Sequence, residues 1–255
     1  MPQIAVLVKM SPDVSQLKID PATRQPKLEG LPWKVSDFDK HAVEAAVKLK
    51  EAGQADKVVA YTYNPGPNGQ NLIKEPLAMG CDEAVIVTGP ETDGAGISKA
   101  LAAAVKADGA DLVFAATESL DRVAGEVGNR VAALLGMPCL YNVNKIHGVE
   151  GGVLKAVRDC LPQKEEVEVE LPVACTMNDE INHPRLPALM QILQAGKKPI
   201  HTKTTADLGL ADGDLERQMV QLSNKAPKQD RKNIILSGDD AVEQLVAALK
   251  KEGAL

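Results

Sequence analysis

Short apolar runs alternate with stretches of helical period along the first half of the chain. Residues 4–8 read as a buried strand, followed by a turn at Lys9-Met10-Ser11-Pro12-Asp13. Residues 17–34 carry Pro21, Pro26, Gly30 and Pro32, which predicts an excursion without regular helix, with room for short strands. A helix follows, with Ser36 or Asp37 as N-cap and Gly53 as the stop. Ala42, Ala45, Ala46 and Leu49 give its buried face. Residues 57–63 form strand two, and a turn cluster at residues 64–69 leads to a helix ending near Met79-Gly80. Residues 84–88 are strand three, residues 97–107 a helix, and residues 111–116 strand four. Strands alternating with helices of this length predict an α/β fold, a doubly wound, mostly parallel sheet of Rossmann-like, adenine-nucleotide-binding type.

After Pro138 the pattern changes. Residues 139–143 read as a strand, and residues 146–157 as a hairpin turning at Gly151-Gly152. The strict alternation EEVEVE at residues 165–170 predicts a solvent-facing antiparallel strand. With apolar residues 172–177, these read as antiparallel strands added to the edge of the parallel sheet. Residues 178–200 are irregular and proline-rich. Leu186, Leu189, Ile192 and Leu193 recur there at helical spacing, either packed on their own domain or exposed for a partner. Beyond residue 200 a polar segment and the basic run KAPKQDRK read as an extended arm. A capped amphipathic helix, AVEQLVAALKKEG, closes the chain. The expected division is residues 1–200 as an α/β nucleotide-binding domain and residues 201–255 as an arm and helix that pack on an obligate partner.

Composition narrows the function. The chain has 255 residues, 44% hydrophobic and 25% charged, which is ordinary globular usage. Aromatics are 2%, so the core is built from Ala, Val, Leu and Ile. The net charge of −6 argues against a nucleic-acid partner. No apolar run approaches a membrane span. The opening MPQIAVLVKM enters a strand at once, without the basic region and cleavage site of a secretory signal. Cys81, Cys139, Cys160 and Cys175 have no metal-type spacing and read as reduced thiols of a cytoplasmic protein. There is no P-loop, no GxSxG and no GxGxxG after the first strand. His41 opens a helix, His147 is expected in a hairpin turn, and His183 and His201 in irregular segments; each reads as a surface residue rather than a base. No carboxylate pair is singled out for acid–base work, so catalytic residues and metal ligands are read as none.

The informative stretch is AATESLDRVAGEVGNRVAALLGMP, residues 115–138. It ends a strand, turns through Thr117-Glu118-Ser119 and is predicted to become a helix, with Val123, Val127, Val131, Leu134 and Leu135 on its apolar face. In an open α/β sheet ligands sit at the carboxyl ends of strands, and a helix N-terminus favours phosphate through its unpaired N–H groups. Gly125 and Gly128, lacking a β-carbon, permit close approach to the backbone. An ordinary βα unit whose glycines serve helix packing accounts for the same residues, and both readings stay open on this stretch alone.

Several separated segments, taken in order, carry a resemblance. They are VLVKMSPD at the first strand, KIDPATRQPKLEG, SDFDKHAVEAAVKLKE, LAMGCDEAVIV, TESLDRVAGEVG, NHPRLPALMQILQAGKKPI, DLGL and the closing helix. Over essentially its full length the chain resembles the β subunit of electron-transfer flavoproteins. That resemblance implies a heterodimer with an α subunit, which holds one FAD, and a nucleotide at the carboxyl ends of this chain's own sheet. The nucleotide is AMP in housekeeping members and a second FAD in electron-bifurcating ones, where it takes hydride from NADH. The implied partners are an acyl-CoA or similar dehydrogenase and a quinone oxidoreductase or ferredoxin.

Carried over by the same resemblance, Leu7 ends strand one beside the nucleotide, and Tyr63 ends strand two. Ser36, Asp37, Phe38 and Asp39 stand where the family often has an Asn-Pro-x-Asp segment. Ala116, Thr117, Glu118, Ser119, Leu120, Asp121, Arg122, Val123 and Ala124 wrap the phosphates with Gly125, Glu126 and Val127. The backbone of those last three is the expected phosphate contact, since they open the helix. The loop departs from the AMP-type pattern: Ala116-Thr117-Glu118 and Gly125-Glu126-Val127-Gly128 replace its Gly-Lys-Gln start and Asn-Gln-Thr-Gly finish, and the Val-Gly ending favours FAD over AMP. Arg122 could pair with a diphosphate, or with Glu118 or Glu126. Residues 182–194 match the family's partner-recognition loop, with Pro184, Arg185 and Leu186 in it and Leu189 at the position that inserts into the dehydrogenase. The competing reading is a stand-alone adenine-nucleotide-binding protein of the universal-stress-protein type. It explains residues 1–140 but not the proline-rich loop and the arm.

Overall fold

The computed structural model describes residues 1–228 and 233–255. Two compact units divide the chain: residues 1–18 with 27–222, and residues 19–26 with 223–255.

The first unit is built on nine strands: β1 Gln3–Leu7, β2 Lys57–Tyr63, β3 Glu83–Thr88, β4 Leu112–Ala116, β5 Cys139–Glu150, β6 Val153–Cys160, β7 Gln163–Glu170, β8 Val173–Met177 and β9 Ile200–Thr204. They lie in the order β7-β6-β5-β8-β4-β1-β2-β3-β9. The seven strands from β5 to β9 are parallel; β6 runs antiparallel to both β5 and β7. The helices are α1 Asp37–Glu51, α2 Gly69–Leu72, α3 Lys74–Met79, α4 Gly94–Asp108, α5 Val127–Leu135 and α6 Leu189–Ala195. Alternation along β1 separates two cores. Ile4 and Val6 join Ala42, Ala46 and Leu77 of α1 and α3. Ala5 and Leu7 join Ala100, Leu101, Val131 and Ala132 of α4 and α5 on the opposite face. Both faces are covered, so the central strands are apolar throughout.

The doubly wound α/β expectation is met, and the details differ in instructive ways. The chain leaves β1 for β2 and β3 on one side, then returns to lay β4 on the other side of β1. The carboxyl ends of β1 and β4 therefore form a topological switch point, the usual place for a ligand. Residues 172–177 do not extend an edge: β8 is a parallel strand between β4 and β5, its residues buried. Residues 139–143 and the first half of the expected hairpin are one strand, β5, so His147 lies within a strand. Asn142 takes a left-handed φ of 61° there and the β8 register shifts beside it. The edge strand β7 alternates as expected, Glu166, Glu168 and Glu170 outward and Val167 and Val169 packed on the core, with Glu165 on the inner face paired to Arg158. His201 also lies in a strand, β9, which pairs with β3 in parallel. The helix expected before Gly80 is split into α2 and α3.

In the second unit the Ala226 N–H donates to the Arg24 carbonyl at 2.8 Å, and the Arg24 guanidinium returns to the Ala226 carbonyl at 3.1 Å. Helix α7, Ala241–Lys251, buries none of its residues. Of the basic run KAPKQDRK, residues 229–232 lie outside the described residues.

Candidate functional site

The switch point is tied together by one buried carboxylate. Asp39, in the first turn of α1, is 6% exposed. It accepts the Lys9 N–H at 2.7 Å, just past β1, and the Ala116 N–H at the end of β4. Burial outweighs these donors and Lys9's charge, and pushes the carboxyl up to about 7. The Lys9 ammonium meets Asp121 at 2.6 Å and 2.7 Å and the Ser119 hydroxyl at 3.3 Å. Asp121 is partly buried, yet this ammonium holds its carboxyl below the usual range. Lys9 thus draws loop 117–126 onto the strand ends.

Two buried hydroxyls at this end of the sheet, Ser36 Oγ and Thr117 Oγ1, have no hydrogen-bond partner among the described residues. Buried polar groups are normally paired, so each hydroxyl is available to a water or a ligand. Beside Thr117 opens a recess of about 330 Å³, lined by Phe38, Thr117, Glu118, Asn142, Met177, Asn178 and Asp179. That is within the size range of ligand pockets. The first helical residue is Val127, preceded by Glu126 with no side-chain cap, so the N–H groups of this helix end are open. The helix expected directly after Ser119 does not form, because residues 117–126 stay a loop with Val123 and Gly125 at φ of 51° and 62°. Val123 is accordingly exposed rather than on a buried face. A β-carbon at Gly125 would meet only the Thr117 carbonyl, at 3.4 Å, so the backbone there is open to close approach.

Other anticipated residues are occupied elsewhere. Leu7 is sealed in the core. Asp37 pairs with Lys34 at 2.7 Å and Lys40 at 3.3 Å. The Tyr63 hydroxyl donates to the Pro90 carbonyl at 2.7 Å. Glu126 pairs with Arg130 at 2.9 Å, and among the described residues Arg122 forms no ion pair. Leu120, Arg122, Val123 and Ala124 lie on the exposed side of the loop. Lys9, Asn142 and Asn178 were not anticipated. Lys9 had a signal, its place directly after the first strand; Asn142 and Asn178 had none, since the fold alone brings them to Thr117.

The electron transfer flavoprotein domain model matches residues 28–208. The chain is 32% identical to the electron transfer flavoprotein subunit beta of Clostridium acetobutylicum, covering 98% of each chain. It is 31% identical to the subunit of the same name from Thermoanaerobacterium thermosaccharolyticum, over 96% of this chain and 97% of that one. For the one from Bacillus subtilis the figures are 30% and 97% of both. The chain belongs to the electron transfer flavoprotein family. The likeness runs past residue 140 through the proline-rich loop and the arm, the parts that a stress-protein reading leaves unexplained.

In this flavoprotein-family chain, residues 178–195 form a second distinctive region. Leu186 is 94% exposed and Leu189 71%, with Met190, Ile192 and Leu193 also exposed. Helix α6 starts only at Leu189, and among its residues only Ala195 is buried. The apolar spacing that predicted a helix therefore does not bury it. Arg185 reaches back to Glu44 and Glu51 of α1. All four cysteines are free thiols. Burial pushes the Cys81 thiol up to about 12. Among the described residues no helix is long and apolar enough to cross a membrane, and no group of three or more His, Cys, Asp or Glu side chains is placed to hold a metal.

Proposed function

We propose that this chain is the β subunit of a cytoplasmic heterodimer. With an α subunit it carries electrons, through FAD, from an acyl-CoA or similar dehydrogenase to a quinone oxidoreductase or ferredoxin. The arm and α7 pack on the α subunit, which fits a helix with no buried face of its own. The switch point of this chain holds a nucleotide, FAD rather than AMP. One observation carries the nucleotide: the unpartnered buried hydroxyl of Thr117 lines an open recess just past the carboxyl end of β4, and that of Ser36 stands at the start of α1; the Val127-Gly128 ending of the loop is what favours FAD.

The residues present fit such a group. The open N–H groups at the start of α5, with Gly125 before them, suit a phosphate oxygen. Lys9 supplies a cation, already committed in part to Asp121. Phe38 and Met177 offer apolar walls to a ring. A bound flavin in this chain would supply hydride acceptance from NADH, with electrons then divided between two acceptors. The chain's own work is to bind and orient: Asp39 fixes the ends of β1 and β4, and Lys9 fixes the loop above them.

The test is a count of nucleotides released from the complex purified with its α subunit. Two FAD and no AMP per heterodimer is the expected result, and reduction by NADH is then the next measurement. One FAD and one AMP would keep the subunit assignment and remove bifurcation. No nucleotide beyond the α subunit's FAD would sink the reading of the switch point. The second half of the proposal, docking through residues 182–194, is tested separately through Leu189 below.

A further inference from the structure

Helix α1 presents Glu44 and Glu51 two turns apart, and Arg185 lies across both. Its Nε donates to Glu44 at 2.8 Å, its backbone N–H to the same oxygen at 3.2 Å, and its Nη2 to Glu51 at 2.8 Å. The Glu44 side chain is 4% exposed and Arg185 is partly buried, so this is no solvated surface pair. The guanidinium fork satisfies two carboxylates at once and fixes direction as well as distance. Three residues earlier, the Asn182 amide donates to the His41 carbonyl at 2.9 Å, and His41 Nδ1 lies 2.9 Å from the Asn182 carbonyl oxygen. The segment is thereby clamped to α1 at residues 182 and 185. The very next side chain, Leu186, stands almost wholly in solvent, and Leu189 follows.

We propose that Arg185 is a positioning residue for dehydrogenase docking: held by Glu44 and Glu51, it presets loop 182–188 so that Leu189, which follows it, enters the partner's apolar pocket without the loop first being ordered. The proposal rests on the docking reading above. Its physical content is preorganisation. Ordering a loop at the moment of binding costs affinity, and a clamp made beforehand by the subunit's own residues removes that cost. None of the clamp residues lines the recess at the switch point, so its effect belongs in KM for the partner and not in the rate at saturation.

The experiment uses the heterodimer, with a purified acyl-CoA dehydrogenase and its acyl-CoA substrate as the probe. The variants are Arg185→Gln, Leu189→Ala and the two combined. Amide exchange of residues 182–188 is followed on the same samples. Arg185→Gln is expected to speed exchange there and to raise KM roughly fivefold, leaving kcat within about twofold. Combined with Leu189→Ala it should add little, because both act through the same inserted leucine. Unchanged exchange, or a KM effect that simply multiplies with that of Leu189→Ala, overturns the positioning role. A Leu189→Ala protein with wild-type KM, beside faster exchange in Arg185→Gln, shows instead that the docking reading has failed. Should Arg185→Gln fold poorly by stranding Glu44, the double variant Arg185→Gln/Glu44→Gln removes both charges and is read the same way.

Discussion

Loop 117–126 and segment 178–195, the second irregular up to α6, both lie after parallel strands, and they solve opposite problems. The first is drawn inward. Lys9 holds Asp121 and Ser119, Asp39 holds the strand ends beneath, and the buried group left unpartnered in it is polar, the Thr117 hydroxyl, beside an open helix end, while Leu120 and Val123 stay on its outer side. The second is held outward. Arg185 and the Asn182 amide are spent on α1; one buried polar atom, Asn182 Oδ1, is left without a partner among the described residues, and the rest of what it leaves uncovered is apolar: Leu186, Leu189, Met190, Ile192 and Leu193. A region whose leftover groups are hydrogen-bonding asks for a small polar ligand. One whose leftover surface is leucine asks for another protein.

The largest test of this contrast is Asp39→Ala. It leaves the Lys9 and Ala116 N–H groups unpaired beneath the loop, at about 1–3 kcal/mol per buried group. A loss of about 3 kcal/mol in urea unfolding is expected. Asp39→Asn sharpens the point through pH. Because the folded-state pKa is raised to about 7 from the ordinary 3.8, the native chain binds a proton that the unfolded chain has released. Stability from this group is therefore full below about pH 4 and is lost as pH rises toward 7. The asparagine variant should lose that part of the slope between pH 4 and 7. An unchanged slope would mean that Asp39 is charged throughout and that Lys9 and the backbone donors outweigh burial.

Gly128→Ala comes next. A β-carbon there would lie 2.8 Å from Thr176 Cγ2 and 3.0 Å from the Ala115 β-carbon, where α5 sits tightly on β4 and β8. Thr176 in turn accepts the Asn142 N–H at 3.2 Å, at the bulge that forms one wall of the recess. Overpacking should cost about 1–2 kcal/mol, net of alanine's better helix propensity. It should also loosen nucleotide retention, read as nucleotide per heterodimer after gel filtration. Full retention with full stability would show that the helix end is not held by this contact.

These residues also mark what the sequence could and could not disclose. The period-2 and period-3.6 patterns carried α1, β2, β4 and the switch between parallel and hairpin strands, because burial on both faces of a sheet leaves continuous apolar runs. Helical spacing misled at residues 117–126; at residues 186–193 it found a helix, α6, but could not say which way its apolar face turns. In the first, the loop's bonds to Lys9 replace helix. In the second, the apolar face is real but has nothing of its own chain to cover it. That β8 lies inside the sheet is a matter of non-local pairing, which no local pattern contains. The proposed nucleotide site was legible as a strand–loop–helix unit. Asn142 and Asn178 were not, since only β8's position brings them to Thr117.

The smallest effect on the fold, and the sharpest on the contrast, belongs to Leu189→Ala. The side chain is 71% exposed, so its truncation should leave urea unfolding within about 0.5 kcal/mol of the wild type. In a complex the same side chain would bury its surface for about 2 kcal/mol, some thirtyfold in affinity if all of it is realised. Modest interfaces suit electron-transfer partners that must separate again. Stopped-flow reduction by an acyl-CoA dehydrogenase should therefore slow at low partner concentration, with unfolding unchanged. A variant that unfolds more easily would place Leu189 in the chain's own packing. Wild-type partner kinetics would remove the docking role and leave five exposed apolar side chains without a reason.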